Sequence, residues 1–349
     1  MEKIFISPSQ LISGMKIAET IFNDYGAVVI SEGTILDDHL VNKLKRMDLF
    51  RLQVYESEDE IITSKNEITY KEEFVKNYSS SVDEYKKIIT DISNGADLNT
   101  AKVDNVVDSV LQRFEEKRDI VSCLNQIRSA DEYTYAHSLN VSLISMLIGN
   151  WMKFDSERIR LLVQAGMLHD IGKTRIPLEI LNKPGKLTAE EFEEMKKHTV
   201  YGYRMLEKVP SISREVLSAV LMHHEKEDGT GYPNKLRGDK IHIFAQIVSV
   251  ADIYDAMTSN RVYREKECPF EVFQLMEENS LGKLNPRVVY AFLNNMAAYY
   301  IGDKVILSND EIGEIVYINP RVVSKPIVKV GDKFIDFLKE QDIKIKQML

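Results

Sequence analysis

Two cysteines in 349 residues, Cys123 and Cys268, are too few and too far apart to form a disulfide framework or a zinc ribbon. That usage fits a reducing compartment, with both cysteines read as small apolar residues of the interior. Long hydrophobic runs are missing as well. VSLISMLIG, from Val141, is among the longest, well short of the roughly 20 apolar residues that a bilayer-spanning helix needs. The opening MEKIFISPSQ has no basic flank ahead of an apolar stretch. The expectation is a cytoplasmic protein without membrane attachment. Positive charge is in deficit, with a formal net charge of -9. Binding DNA without reading its bases requires a basic face, so a general nucleic-acid binder is excluded and a phosphate ligand would have to meet a local cluster of cations. No internal repeat or low-complexity tract is visible. Residues 1–118 carry neither a phosphate-accepting receiver pattern nor a Gly-rich nucleotide loop, so their input signal is not legible.

What is present is a composition ordinary for a folded protein, 44% apolar and 28% charged. The length implies one sizeable core with smaller modules attached. Residues 1–56 read as a small α/β module: AVVISEGTIL alternates, HLVNKLKRM has helical spacing and LQVYE ends the module as a strand. Residues 57–118 read as a linker and helical segment, polar and acidic as far as about Thr69. Beyond it, Val75, Tyr78, Val82, Tyr85, Ile89 and Ile92 form an apolar stripe that stops at Asn94-Gly95. The stripe fits a homodimer seam through residues 75–92 or an amphipathic face packed on the chain's own domain, and three heptads are short for a seam. Helical periodicity dominates residues 119–300. In the final stretch, 301–349, DKVILSNDEIGEIVYINP and PIVKVG read as short strands, making this a small β-rich extension.

Five of the seven histidines lie between residues 137 and 224, at His137, His169, His198, His223 and His224. One histidine on a helix is usually a hydrogen-bonded core residue. Here QAGMLHDIGK and VLMHHEKEDG each pass from apolar to polar at the histidine, as a buried helix does where it opens on a cavity. Burying several imidazoles without partners is costly, and a shared metal removes that cost. Neighbouring helical residues point about 100° apart, so His169-Asp170 and His223-His224 suit two ions better than one, with Asp170 bridging. Two ions roughly 3.5–4 Å apart activate water and stabilise both oxygens of a phosphoryl displacement. The doubled ligands point to a phosphohydrolase.

DEYTYAHS (Asp131–Ser138), HDIGK (His169–Lys173), KHTVYGYRML (Lys197–Leu206), HHEKEDGTGYPNKLRG (His223–Gly238) and ADIYDAMTSNRVYR (Ala251–Arg264) together resemble the ordered motif set of the HD-GYP family, a branch of the HD metal-dependent phosphohydrolases, over about residues 119–300. The resemblance implies a mainly α fold, an HD-type helical bundle with small β-containing modules at both ends. It also implies hydrolysis of cyclic di-GMP to pGpG and often onward to GMP at a centre of two divalent ions, iron or manganese, with a third in some members. Carried over by position, the metal ligands are His137, His169, Asp170, His198, His223, His224 and Asp252. Members with a third ion supply a glutamate one turn before the first histidine. Here Tyr133 stands at that place, with Glu132 and Asp131 further ahead, so two ions are expected and a third stays open.

Within the same resemblance, Gly231, Tyr232 and Pro233 form the GYP loop and Tyr232 contacts the substrate. Lys173, one helical turn beyond His169-Asp170, can reach a phosphate near the ions. Arg261 and Arg264, spaced by three, can neutralise a diester. Asp170 and Lys173 are the expected catalytic groups, Lys173 being one source of a proton for the leaving 3′ oxygen. The family pattern permits a contact between the GYP loop and a cyclic-dinucleotide synthase. Two alternatives differ in substrate or chemistry: an HD hydrolase of another cyclic dinucleotide such as 3′,3′-cyclic GMP-AMP, or a catalytically silent receptor, against which stands the filled set of ligand positions.

Overall fold

The structure, a computed structural model, describes residues 3–6, 8, 11–22, 27–45, 47, 52–55, 60–114, 121, 133–259, 267–279, 282–340 and 342–349. The N-terminal module comprises β1 (Lys3–Ile6), β2 (Lys16–Ile17), β3 (Ile21–Phe22), β4 (Val28–Ile30), α1 (Asp38–Lys45) and β5 (Leu52–Tyr55). β5 lies between β1 and β2 in an antiparallel sheet, and β3 pairs with β4. Leu11, Ile17, Leu44 and Leu52 fill a core of the module's own.

Helix α2 (Glu60–Ser93) follows. It corrects the expected linker, because the polar stretch is helical from Glu60 onward. No glycine or proline interrupts residues 60–93, so local propensity gives the helix no reason to stop. It ends where Gly95 takes φ +92°, with its N–H bonded to the Ile92 carbonyl. The stripe expected on this helix settles on the chain's own core: Tyr78, Val82, Tyr85 and Ile92 are buried, Ile89 packs against them and only Val75 points out. Residues 75–92 are therefore spent within the chain, and the dimer seam gives way to intramolecular packing.

α3 (Thr100–Phe114) leads to a bundle of α4 (Tyr133–Trp151), α5 (Ser156–Leu168), α6 (Leu178–Leu181), α7 (Ala189–Lys196), α8 (His198–Leu206), α9 (Arg214–Met222), α10 (Ile243–Thr258), α11 (Pro269–Asn279) and α12 (Pro286–Ala298). Their starts follow side-chain capping. Asp155 caps α5, Thr188 and Glu191 form a capping box on α7, Ser213 caps α9, and Asn285 precedes Pro286 on α12. Only small residues permit two of the crossings. A Cβ on Gly166 would sit 2.6 Å from Ser142 Cα, and one on Gly172 would sit 1.9 Å from the His198 carbonyl oxygen and 2.4 Å from the Gly202 nitrogen. Gly172 thus lets the turn after His169-Asp170 lie directly on the start of α8, which places His198 beside them.

The C-terminal strands β6 (Lys304–Leu307), β7 (Ile312–Asn319), β8 (Val322–Val330), β9 (Lys333–Asp336) and β10 (Ile345–Met348) form one antiparallel sheet in the order β10-β6-β7-β8-β9. It docks on α11, where the Glu277 carboxylate accepts from the Val323 N–H at 2.8 Å and from the Ser324 hydroxyl. One apolar core runs from Phe74 on α2 through the bundle to Ile345 in the sheet. Cys268 is buried in it, burial pushing its thiol up to about 11; Cys123 lies outside the described residues. Among the described residues no helix is long and apolar enough to cross a membrane.

Candidate metal centre

Five segments converge at one end of the bundle. His137 comes from α4, His169 and Asp170 from the end of α5, His198 from the first residue of α8, His223 and His224 from the end of α9, and Asp252 from α10. Their ligand atoms fall into two groups. In one, Asp170, His198, His223 and His224 each offer an atom within 4.8 Å of the others, and in the second His137, His169 and Asp252 do the same. Asp170 faces both. Its Oδ1 is 3.3 Å from His198 Nε2 and 4.0 Å from His223 Nε2, while its Oδ2 is 3.2 Å from His169 Nε2 and 3.8 Å from His137 Nε2.

Hydrogen bonds set the tautomers. Nδ1 of His169, His198 and His223 approaches the carbonyls of Gly166, Met195 and Val220 at 2.7, 2.7 and 2.9 Å. A carbonyl only accepts, so each Nδ1 carries the proton and each Nε2 presents a lone pair. His198 Nε2 and His223 Nε2 then face one another at 3.3 Å. Two lone pairs at that distance in a buried site repel unless a cation lies between or beside them. His169 Nε2 and Asp170 Oδ1 are buried without any hydrogen-bond partner, another sign that a cation belongs here.

His137 is held differently. Its Nδ1 meets Asp255 Oδ2 at 2.7 Å, and its Nε2 is 3.1 Å from Asp252 Oδ1. Asp255 is fully buried and also accepts from Asn140 Nδ2 at 2.9 Å and Ser259 Oγ at 3.0 Å. A buried carboxylate on Nδ1 of a histidine whose Nε2 faces a second carboxylate is the carboxylate–histidine arrangement that orients metal ligands. Neither Asp255 nor Asn140 was among the expected site residues. Their signal is positional: each follows an expected ligand by three, Asp255 after Asp252 and Asn140 after His137, on the same helix face.

The electrostatics separate the two groups. Burial pushes His223 well below the ordinary histidine range, His224 down to about 3, and His198 downward. All three are neutral and able to ligate. Burial also works against charge on His137, but hydrogen bonds to Asp252 and Asp255 outweigh it and raise the imidazole to about 9. A proton thus stands where the surrounding carboxylates would equally hold a cation. Burial opposes ionisation of Asp170, yet its interactions with the His169 ring and the Lys173 ammonium hold the carboxyl well below the usual carboxylate range. Lys173 Nζ sits 2.5 Å from Asp170 Oδ2 and is a third exposed.

The GYP loop covers the His198 side. The Tyr232 ring lies 4.8 Å from the His224 ring at 31°, and the Tyr232 N–H donates to the His224 carbonyl at 3.2 Å. Gly231 is obligatory, since a Cβ there would lie 2.5 Å from the Glu225 Cα. Burial and the charges of Asp170 and Asp252 keep the Tyr232 phenol protonated, so it can donate. Glu225, not expected as a site residue, is buried and accepts from the N–H groups of Asn234 at 2.6 Å and Leu236 at 3.0 Å, holding the loop on the residue that follows His224. Gly231 and Tyr232 therefore lie on His224, and Lys173 lies on Asp170. Arg261 and Arg264, and Glu132 and Asp131, lie outside the described residues.

Residues 121–288 match the family described as HD domain. A curated relative from Pseudomonas aeruginosa, named a cyclic di-GMP phosphodiesterase, is 35% identical over 240 residues, which span 69% of this chain and 58% of that protein. A Vibrio cholerae protein named a 3′3′-cGAMP-specific phosphodiesterase is 34% identical over 170 residues, 48% of this chain and 31% of the relative. In neither case does the chain span two thirds of the relative's length. Among solved structures, an HDG"Y"P protein from Bdellovibrio bacteriovorus superposes with a TM-score of 0.53 at 18% identity, covering 83% of this chain and 98% of that one, a likeness of fold.

Proposed function

This chain belongs to the HD-GYP branch of the HD-domain family, and from that premise we propose that it is a metal-dependent phosphodiesterase that opens cyclic di-GMP to pGpG, with onward cleavage to GMP. One observation carries the reading: the two oxygens of Asp170 face two separate groups of buried imidazole and carboxylate ligands. The HD domain implies divalent metal, and the all-imidazole-and-carboxylate donor set suits iron or manganese.

His198, His223 and His224 would hold one ion, His137, His169 and Asp252 the second, and Asp170 both. Bound there, the pair would supply Lewis acidity, an acidified water and stabilisation of the departing oxygen. The chain's own residues do the rest. Lys173, paired with Asp170 at the mouth of the cluster, places an ammonium where the diester phosphate arrives and can give its proton to the leaving 3′ oxygen. Tyr232 donates from its protonated phenol while its ring closes the His224 side against water. Arg261 and Arg264 would neutralise further charge on the diester. A synthase contact through this loop would fall on Asn234, Lys235 and Arg237, which are exposed.

Similarity to a 3′3′-cGAMP-specific enzyme favours a second substrate, the mixed cyclic dinucleotide. Protein purified anaerobically, with its metal content measured, and incubated separately with cyclic di-GMP and 3′,3′-cyclic GMP-AMP decides between them. Linear pGpG forming faster than the linear mixed product supports the first reading. The reverse order supports the second, and no product from either with manganese or iron supplied overturns both.

A further inference from the structure

We propose that Tyr78, on the helix preceding the HD domain, is a positioning residue for the metal centre, acting on His137 through Asn140 and Asp255; this rests on the metal reading above. A continuous buried chain of hydrogen bonds carries the inference. Tyr78 Oη donates to Asn140 Oδ1 at 2.7 Å, Asn140 Nδ2 donates to Asp255 Oδ1 at 2.9 Å, and Asp255 Oδ2 holds His137 Nδ1 at 2.7 Å. Tyr78, Asn140, Asp255 and His137 are 3%, 5%, 0% and 6% exposed, so water does not stand in for a missing link.

The polarity of the chain is fixed from its far end. Asp255 can only accept, so Asn140 must turn its amide NH2 toward it and its carbonyl oxygen toward the phenol. A phenol there, and nothing aliphatic, satisfies that oxygen. The Ala136 carbonyl also lies near the phenol, at 3.4 Å, a weaker acceptor position. Removing the hydroxyl leaves Asn140 Oδ1 without this donor, frees the amide to rotate and loosens Asp255, whose grip sets the orientation and basicity of His137 Nε2. Tyr78 lies outside residues 121–288 that match the family. The segment before the domain therefore completes the outer support of one ligand.

A control sits on the same helix about two turns on. Tyr85 is equally buried, and its hydroxyl donates to the Met167 main-chain carbonyl at 2.6 Å, docking α2 on α5 through backbone and not through a ligand's side chain. The test is titration of metal-free full-length protein with cobalt(II) alone, read by visible absorption, for wild type, Tyr78→Phe, Tyr85→Phe and Asn140→Ala, with thermal unfolding of each. A direct second-layer partner is worth about 10–100-fold in metal affinity, so a residue one step further out should weaken one of two sites about 3–10-fold. Tyr78→Phe is expected to do so and to shift the cobalt spectrum, Asn140→Ala to lose at least as much, and Tyr85→Phe to keep wild-type affinity and spectrum even where its Tm falls. Wild-type affinity in Tyr78→Phe or Asn140→Ala, or the same loss in Tyr85→Phe, overturns the relay while the metal reading stands. Wild-type protein that binds no cobalt overturns the metal reading and the relay with it.

Discussion

His137 and the His198–His223 pair lie on either side of the same carboxylate and are held by opposite means. His198 and His223, like His169, hydrogen-bond to main-chain carbonyls three residues back, so each ring is oriented by the turn of backbone that carries it. His137 is oriented by Asp255 from α10, itself steadied by Asn140 and Ser259. Local orientation survives whatever leaves the turn intact. Distant orientation depends on two helices, α4 and α10, and, through Tyr78, on a third element outside the matched domain. The two halves also differ in charge: burial leaves His223 and His224 neutral, whereas carboxylates load His137 with a proton. On the proposed metal reading, one half would be preset for an ion and the other would exchange a proton for it.

The largest expected effect removes the comparison altogether. Asp170→Ala deletes the group that both halves share, so both ions should be lost. Elemental analysis should find less than one ion per chain, and linear product from cyclic di-GMP should fall by on the order of a thousandfold or more. Helical content by circular dichroism should be nearly unchanged, because Asp170 is not a capping or core-packing residue. Retention of two ions would show that the halves do not depend on a bridge.

Asp255→Asn separates the halves. It keeps volume but removes the charge that orients His137, and the affinity of one ion should drop by about 10–100-fold while the second stays within about twofold. Competition with a chelator of known affinity measures both. Equal weakening of the two sites would mean that the cluster behaves as one unit.

Protons offer a smaller lever of opposite sign in the two halves. In metal-free protein His137 is raised to about 9 from an unfolded value near 6.5. Its contribution to stability is then fully present below about pH 6.5 and lost as pH rises through about 9. His224, lowered to about 3, works the other way: the unfolded chain binds its proton first, so stability falls as pH drops below about 6.5. Urea unfolding of the metal-free protein should therefore show these two contributions together at their largest near pH 6.5, declining on either side. The advantage of wild type over His137→Gln should shrink as pH rises from about 6.5 and be gone above about 9, and an advantage that grows with pH would reverse the assignment.

Legibility followed the same division. Candidate ligands held by their own helix turn announce themselves as motifs: His169-Asp170 and His223-His224 stand where apolar helices end, and the structure brings both pairs to one cluster. The helical bundle and the terminal strands were legible from periodicity. Asp255, Asn140 and Tyr78 were not, because each is an unremarkable helical residue until three helices are packed. Tyr78 read as one apolar position in a stripe, which is true of its ring and silent about its hydroxyl. The polar stretch before it reads as a linker by composition, while the absence of any glycine or proline between residues 60 and 93 is what lets it continue as helix.

The smallest effect tests whether the loop beside His224 is as locally determined as the histidine itself. Glu225 accepts two backbone N–H groups of the loop, from Asn234 and Leu236. Glu225→Gln retains one acceptor and turns an NH2 against the other donor, a loss of about 1–3 kcal/mol of loop order. Neither ligand group includes Glu225, so metal content should not change. Tyr232 would be presented for less of the time, so KM for cyclic di-GMP should rise several-fold with kcat within about twofold. A fall in kcat with KM unchanged would instead place the loop's action in the chemical step, and would make Tyr232 a partner of the ions and not only a wall of the substrate pocket.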